Sequence, residues 1–158
     1  MKRNTLVLLG VAILGGVGLT LWAITKKNEP TSEKVAEPTK GDDFMTSPEG
    51  IKYRIEKQGE GRKPVKGGEV DVYYTGWLDV NGLEGTKFDS SVDRGQPFSF
   101  KVGTGTVIPG WDITVADMKE GEVRYIILSP RLAYGSMSVA KIPPNSTLRF
   151  RVELLKVK

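Results

Sequence analysis

The chain contains neither cysteine nor histidine. The first absence excludes disulfides, thiol nucleophiles and thiolate zinc sites, and leaves the redox compartment open, since a cysteine-free protein suits any of them. The second removes Ser-His-Asp triads and histidine-ligated metals. Any catalysis must therefore run on carboxylates, hydroxyls, amines or shape, and no cofactor or metal is expected. A basic cluster is also missing. The formal net charge is +4, yet residues 1–40 carry six Lys/Arg against three Asp/Glu, leaving 17 against 16 in the rest of the chain. A nucleic-acid-binding domain gathers its basic residues on one face, so nucleic acid is not an expected partner.

What is present begins with one long apolar run. Lys2 and Arg3 precede an uncharged stretch from Thr5 to Thr25, and Lys26 and Lys27 close it. At ~1.5 Å per residue the stretch reaches about 31 Å, close to the thickness of a bilayer's hydrocarbon core. Trp22 lies near its far end, where an indole suits the interface. A cleaved signal peptide is the competing reading, but its apolar region spans only about 7–15 residues and ends in a small-x-small site. The exit LWAITKK offers no such site, and a lipoprotein signal would need a cysteine. Residues 1–27 thus read as an N-terminal transmembrane helix, a single-pass anchor that meets the membrane through residues 5–25. Lys2, Arg3 and the terminal amine outweigh Lys26 and Lys27, which puts the following domain on the extracytoplasmic side, in a periplasm, lumen or exterior. Secretion after signal cleavage is the alternative.

Residues 28–48 are rich in Pro, Glu, Thr, Ser and Lys and lack apolar periodicity. Such a composition buries too little surface to offset ordering entropy, so it reads as a flexible linker. From residue 49 the pattern changes. IKYRIEK and EVDVYYTG alternate through Ile51, Tyr53, Ile55 and then Val70, Val72, Tyr74, the period of a half-buried strand. FSFKV, EVRYIILS and TLRFRVELLKV continue the theme, the last through Leu148, Phe150, Val152 and Leu154. GRKPVKGG, DVNGLEGT and KIPPNS read as turn-rich connections. Helical spacing appears once, in WDITVADMKEG, where Trp111, Val115 and Met118 share a face and Gly121 is placed to end the helix. The fold class is α+β: a twisted antiparallel sheet wrapped around one short helix.

The segment GTGTVIPGW, residues 103–111, has the glycines of a phosphate loop. The dinucleotide fingerprint fails at its third glycine, where Ile108 stands. No Gly-Lys-hydroxyl series follows, and Pro109 removes an amide donor. A strand-to-helix turn with Trp111 in the core accounts for the segment taken alone.

Several segments nonetheless fall into one order: YYTGW, KFDSSVDRGQPFSF, VIPGWDITVADMKEGE, ILSPRLAYG and IPPNSTLRFRVELLKV. Over residues 49–158 this order closely resembles the FKBP-type peptidyl-prolyl cis-trans isomerases. The resemblance implies an FKBP-like fold, monomeric, with a pocket that binds proline-containing polypeptides and also macrolide inhibitors. Carried over by motif, Trp111, Phe150 and Tyr74 would enclose the prolyl ring. Tyr134 would donate to a substrate carbonyl and the Ile108 N–H to another. Asp89, supported by Tyr74, would sit beside the rotating carbonyl. Phe88 and Phe98 would shape the wall for the residue before proline, and Val107 and Ile142 would complete the pocket.

Two segments depart from the pattern. DVNGLEG, between Gly76 and Phe88, is longer than in compact members, and SMSVAKIPP, after Tyr134, lacks the usual glycines and proline. Because that second loop helps bind substrate in the family, a membrane-tethered module that holds proline segments with little turnover is the alternative function.

Overall fold

The computed structural model describes residues 43–158. The expected anchor and the linker before residue 43 lie outside the described residues. Among those described, no helix is long and apolar enough to cross a membrane. In chain order the strands are β1 (Met45–Thr46), β2 (Lys52–Lys57), β3 (Glu69–Val80), β4 (Leu83–Ser90) and β5 (Phe98–Lys101). The one α-helix among the described residues, α1 (Pro109–Asp117), precedes β6 (Val123–Leu128), a short 3₁₀ turn at Pro130–Leu132, and β7 (Leu148–Val157). The strands form one antiparallel sheet ordered β1-β2-β6-β7-β3-β4, with β5 also paired to β3. The folded region begins earlier than composition indicated, because Met45 and Thr46 pair with Tyr53 and Lys52 inside the stretch read as linker.

Alternation decides which face each strand buries. Val70, Val72 and Tyr74 of β3 point inward, as do Leu148, Phe150, Val152 and Leu154 of β7, and all seven are buried. They close over Trp111 and Val115 of α1 and Met118 just past its end, the set that spacing picked out, to form one core. Pro109 opens the helix, where its missing N–H costs nothing. The expected stop at Gly121 is not where the helix ends. The chain turns extended at Met118 (ψ 156°), whose side chain is fully buried. Gly121, at φ +87°, instead serves the tight turn in which the Glu122 N–H donates to the Lys119 carbonyl.

The segment DVNGLEGT is not a loose connection. Asn81 (φ 54°) and Gly82 (φ 83°) form a two-residue turn between the paired Val80 and Leu83, so the added length extends the β3–β4 hairpin. The left-handed conformation at both residues matches the twist of the flanking strands.

Candidate active site

One edge of β3 is shared by two strands. Its Glu69–Val72 half pairs with β5, and its Thr75–Val80 half pairs with β4. Between them, at Tyr74, the chain leaves a gap that Ser91 partly closes: the Tyr74 N–H donates to Ser91 Oγ (2.9 Å), and the Ser91 N–H donates to the Tyr74 carbonyl (3.0 Å). Asp89, near the end of β4, and Phe98, opening β5, therefore flank the inward-facing Tyr74.

The β3–β4 register shifts between Gly76↔Asp89 and Trp77↔Lys87, leaving Phe88 as the extra residue of a bulge. A bulge re-aims a side chain, and here Phe88 comes to lie against Phe150 on the same face as Asp89, with ring centroids 5.5 Å apart. Gly76 makes the room. A Cβ at this position would stand 2.6 Å from the Phe88 ring and 2.8 Å from the Phe150 ring.

These elements frame a cleft of about 190 Å³ lined by Tyr74, Phe88, Asp89, Phe98, Thr106, Val107, Ile108, Trp111, Tyr134 and Phe150. Depth orders the lining. Trp111, Phe150 and Tyr74 are buried and form the floor, whereas Phe98 and Thr106 are exposed at the rim. Trp111 is the hub, with edge-on contacts to Tyr74 (4.8 Å), Phe150 (5.4 Å) and Phe98 (6.2 Å) and a tilted one to Phe100 (5.9 Å). Its indole Nε1 has no hydrogen-bond partner among the described residues. Tyr134 is held at the cleft by the 3₁₀ turn, where the Ala133 and Gly135 N–H groups both donate to the Pro130 carbonyl.

Nine of the ten residues expected at the pocket line it; Ile142 does not. Its backbone is bridged to Val139 and its side chain lies in the core cluster against which Tyr134 packs. The short loop between them turns tightly through Ala140 at φ +49°, which takes Ile142 inward. Thr106 takes the remaining place on the wall.

The electrostatics centre on Asp89. Its carboxylate accepts from the Tyr74 hydroxyl, the Arg94 guanidinium and, at 2.8 Å, the Ser90 N–H. Desolvation works to raise its carboxyl, but the bonds from Tyr74 and Arg94 and the Arg94 charge outweigh it and hold it below the usual carboxylate range. Burial, with the bond to Asp89, pushes the Tyr74 phenol up. Burial and the Asp89 charge do the same at Tyr134, so both hydroxyls remain donors at neutral pH. Arg94 was not singled out by sequence reasoning. It reaches the Tyr74 hydroxyl at 3.1 Å and lies 5.8 Å from that ring. The available signal was its place five residues after Asp89 in DSSVDRG.

No described residue accepts from the Ile108 N–H, which stands at the cleft wall. Among the described residues no cluster of carboxylates is placed to hold a metal ion. The arrangement is therefore an apolar well with donors on its walls and one fixed negative charge. Such a site suits a small ring joined to a peptide backbone.

Comparison with known proteins carries this further. Residues 60–155 match the family described as FKBP-type peptidyl-prolyl cis-trans isomerase. The chain is 47% identical over 136 residues to human peptidyl-prolyl cis-trans isomerase FKBP4, covering 84% of this chain and 29% of that protein. It is 48% identical over 102 residues to a Neisseria meningitidis FK506-binding protein, covering 64% of this chain and 90% of that one. Among solved structures, FkpA from Escherichia coli superposes with a TM-score of 0.67 at 41% identity, over 75% of this chain and 53% of that one. The chain spans less than a third of the length of the human relative. It belongs to the FKBP-type peptidyl-prolyl cis-trans isomerase family.

Proposed function

We propose that this chain is a peptidyl-prolyl cis-trans isomerase that accelerates X-Pro rotation in proteins folding outside the cytoplasm, and that residues 5–25 tether it to a membrane as a single-pass anchor. The observation that carries the activity is the cleft, an aromatic floor of Trp111, Phe150 and Tyr74 beside an ionised Asp89. Rotation about an X-Pro bond faces a barrier of about 20 kcal/mol because resonance stiffens the amide. No bond breaks, so the reaction requires no nucleophile. The planar amide is the more charge-separated form and water stabilises it; an apolar well favours the twisted, less polar one. Binding the twisted state more tightly than either planar isomer is the catalytic step.

In this reading Trp111, Phe150 and Tyr74 enclose the prolyl ring, Phe88 and Phe98 receive the residue before it, and Val107 completes the wall. Tyr134 and the Ile108 N–H donate to substrate carbonyls. Asp89 sits beside the rotating carbonyl, where its field acts on a charge distribution that changes with the twist. The substrates are proline-containing polypeptides met by a monomeric domain, and a large apolar macrolide would compete for the same cleft. A protease-coupled assay with a proline tetrapeptide tests the activity. Peptide binding without turnover would identify the tethered binding module instead. The tether is tested by mass spectrometry of the mature N-terminus: an intact residue 5–25 segment is expected, and a first residue beyond Thr25 would mean cleavage and secretion.

A further inference from the structure

We infer that Asp112 is a positioning residue: its carboxylate holds the glycine end of the segment 103–108 against the helix that anchors the other end, and so fixes the wall of the cleft and the Ile108 N–H. The glycine loop does bind an anion, but the anion is this side chain. Asp112 Oδ1 accepts from the Gly103 N–H (2.9 Å) and Oδ2 from the Gly105 N–H (2.7 Å). Both glycines sit at φ +71°, a conformation that turns successive amides toward one side and that a side chain would strain. The Asp112 backbone N–H reaches the Ile108 carbonyl at 3.3 Å. One residue in the first turn of α1 thus ties the chain before Thr106 and again after Val107. Those two residues and Ile108 are cleft lining.

Two hydroxyls brace the same loop. Thr104 Oγ1 and Thr106 Oγ1 both donate to the Lys101 carbonyl, at 2.8 Å and 3.3 Å. They fix where the loop leaves β5, whereas the Asp112 carboxylate ties the glycine end of the loop to the helix; the Ile108 end is also held by the Trp111 N–H, which donates to the Ile108 carbonyl at 2.9 Å. Asp112 itself does not line the cleft. Its effect on substrate must pass through the peptide groups it holds.

The inference rests on the isomerase reading for its kinetic arm and is independent of it for its spectroscopic arm. Asp112→Asn keeps the size of the side chain but removes the charge and one acceptor. In the full chain, KM for a proline tetrapeptide is expected to rise about fivefold with kcat within about twofold, the pattern of lost ground-state binding. Asp112→Glu, which keeps the charge, is expected to recover part of that loss, and it supplies the same comparison with wild type should Asp112→Asn not fold. A residue that merely stabilised the helix N-terminus would lower Tm and leave KM unchanged, and that outcome overturns the inference. Amide spectra read the latch without turnover. The Gly103, Gly105 and Ile108 N–H resonances should all move in Asp112→Asn, and an unmoved Ile108 resonance contradicts the proposal even if the protein proves inactive.

Discussion

At Asp89, desolvation and hydrogen bonding pull in opposite directions, and the balance determines how the site responds to pH. The net shift is downward, while Tyr74 and Tyr134 shift upward from an already high value. With no histidine in the chain, no cleft group titrates between the carboxylate and phenol ranges. The expected kcat/KM is accordingly flat from about pH 5 to pH 9, and a bell-shaped profile within that window, measured with a pH-insensitive readout, would contradict the assignment. The sign for stability follows from the depressed Asp89: its contribution is present above the unfolded carboxyl value of about 3.9 and is lost as pH falls through the lower folded value. At this scale motif order made Asp89 and its Tyr74 partner legible. Arg94 was not legible, because its partners meet it only after the chain between β4 and β5 has turned back.

The elements divide by how openly they declare themselves. β3 and β7 alternate cleanly because one face is core and the other is not. β4 hides, since LEGTKFDS has no alternation and its one inward aromatic, Phe88, is aimed by a bulge. Asn81-Gly82 was the readable hairpin signal there. Gly121 invites a helix cap, whereas the chain already turns extended at the buried Met118. Next to that turn lies a buried ion pair that sequence could not assign. Arg124 donates through Nε to Glu122 at 2.6 Å and reaches Asp117 at 3.1 Å, with the Arg124 and Glu122 side chains 6% and 4% exposed. The Glu122 carboxylate also accepts from the Lys119 N–H at 3.1 Å, tying β6 to the turn after α1. Removing Glu122 leaves the buried Arg124 only the exposed Asp117 as a carboxylate partner, so Glu122→Ala should cost about 3 kcal/mol of unfolding free energy. Denaturant titration checks this, and a loss no larger than that of a surface substitution would show that the pair is not structural.

At the scale of the molecule, a sheet curved over one helix leaves a gap where β3 changes partners, and the cleft occupies that gap. The geometry explains why the site residues are scattered through the sequence from Tyr74 to Phe150: they arrive on several different elements, and only the order of short motifs announces the set. Composition drew the domain boundary a few residues late, because a two-residue strand carries too little pattern to see. A cleft that lowers the barrier to X-Pro rotation reveals itself in protease-coupled kinetics on the folded full chain. The wild type should shorten the slow phase of a proline tetrapeptide, which lasts tens to hundreds of seconds unaided, in proportion to enzyme concentration. Asp89→Ala should remain folded and lose at least about tenfold of kcat/KM, the equivalent of about 1.4 kcal/mol of transition-state stabilisation. A slow phase that folded wild-type protein leaves unchanged at every concentration would contradict the account.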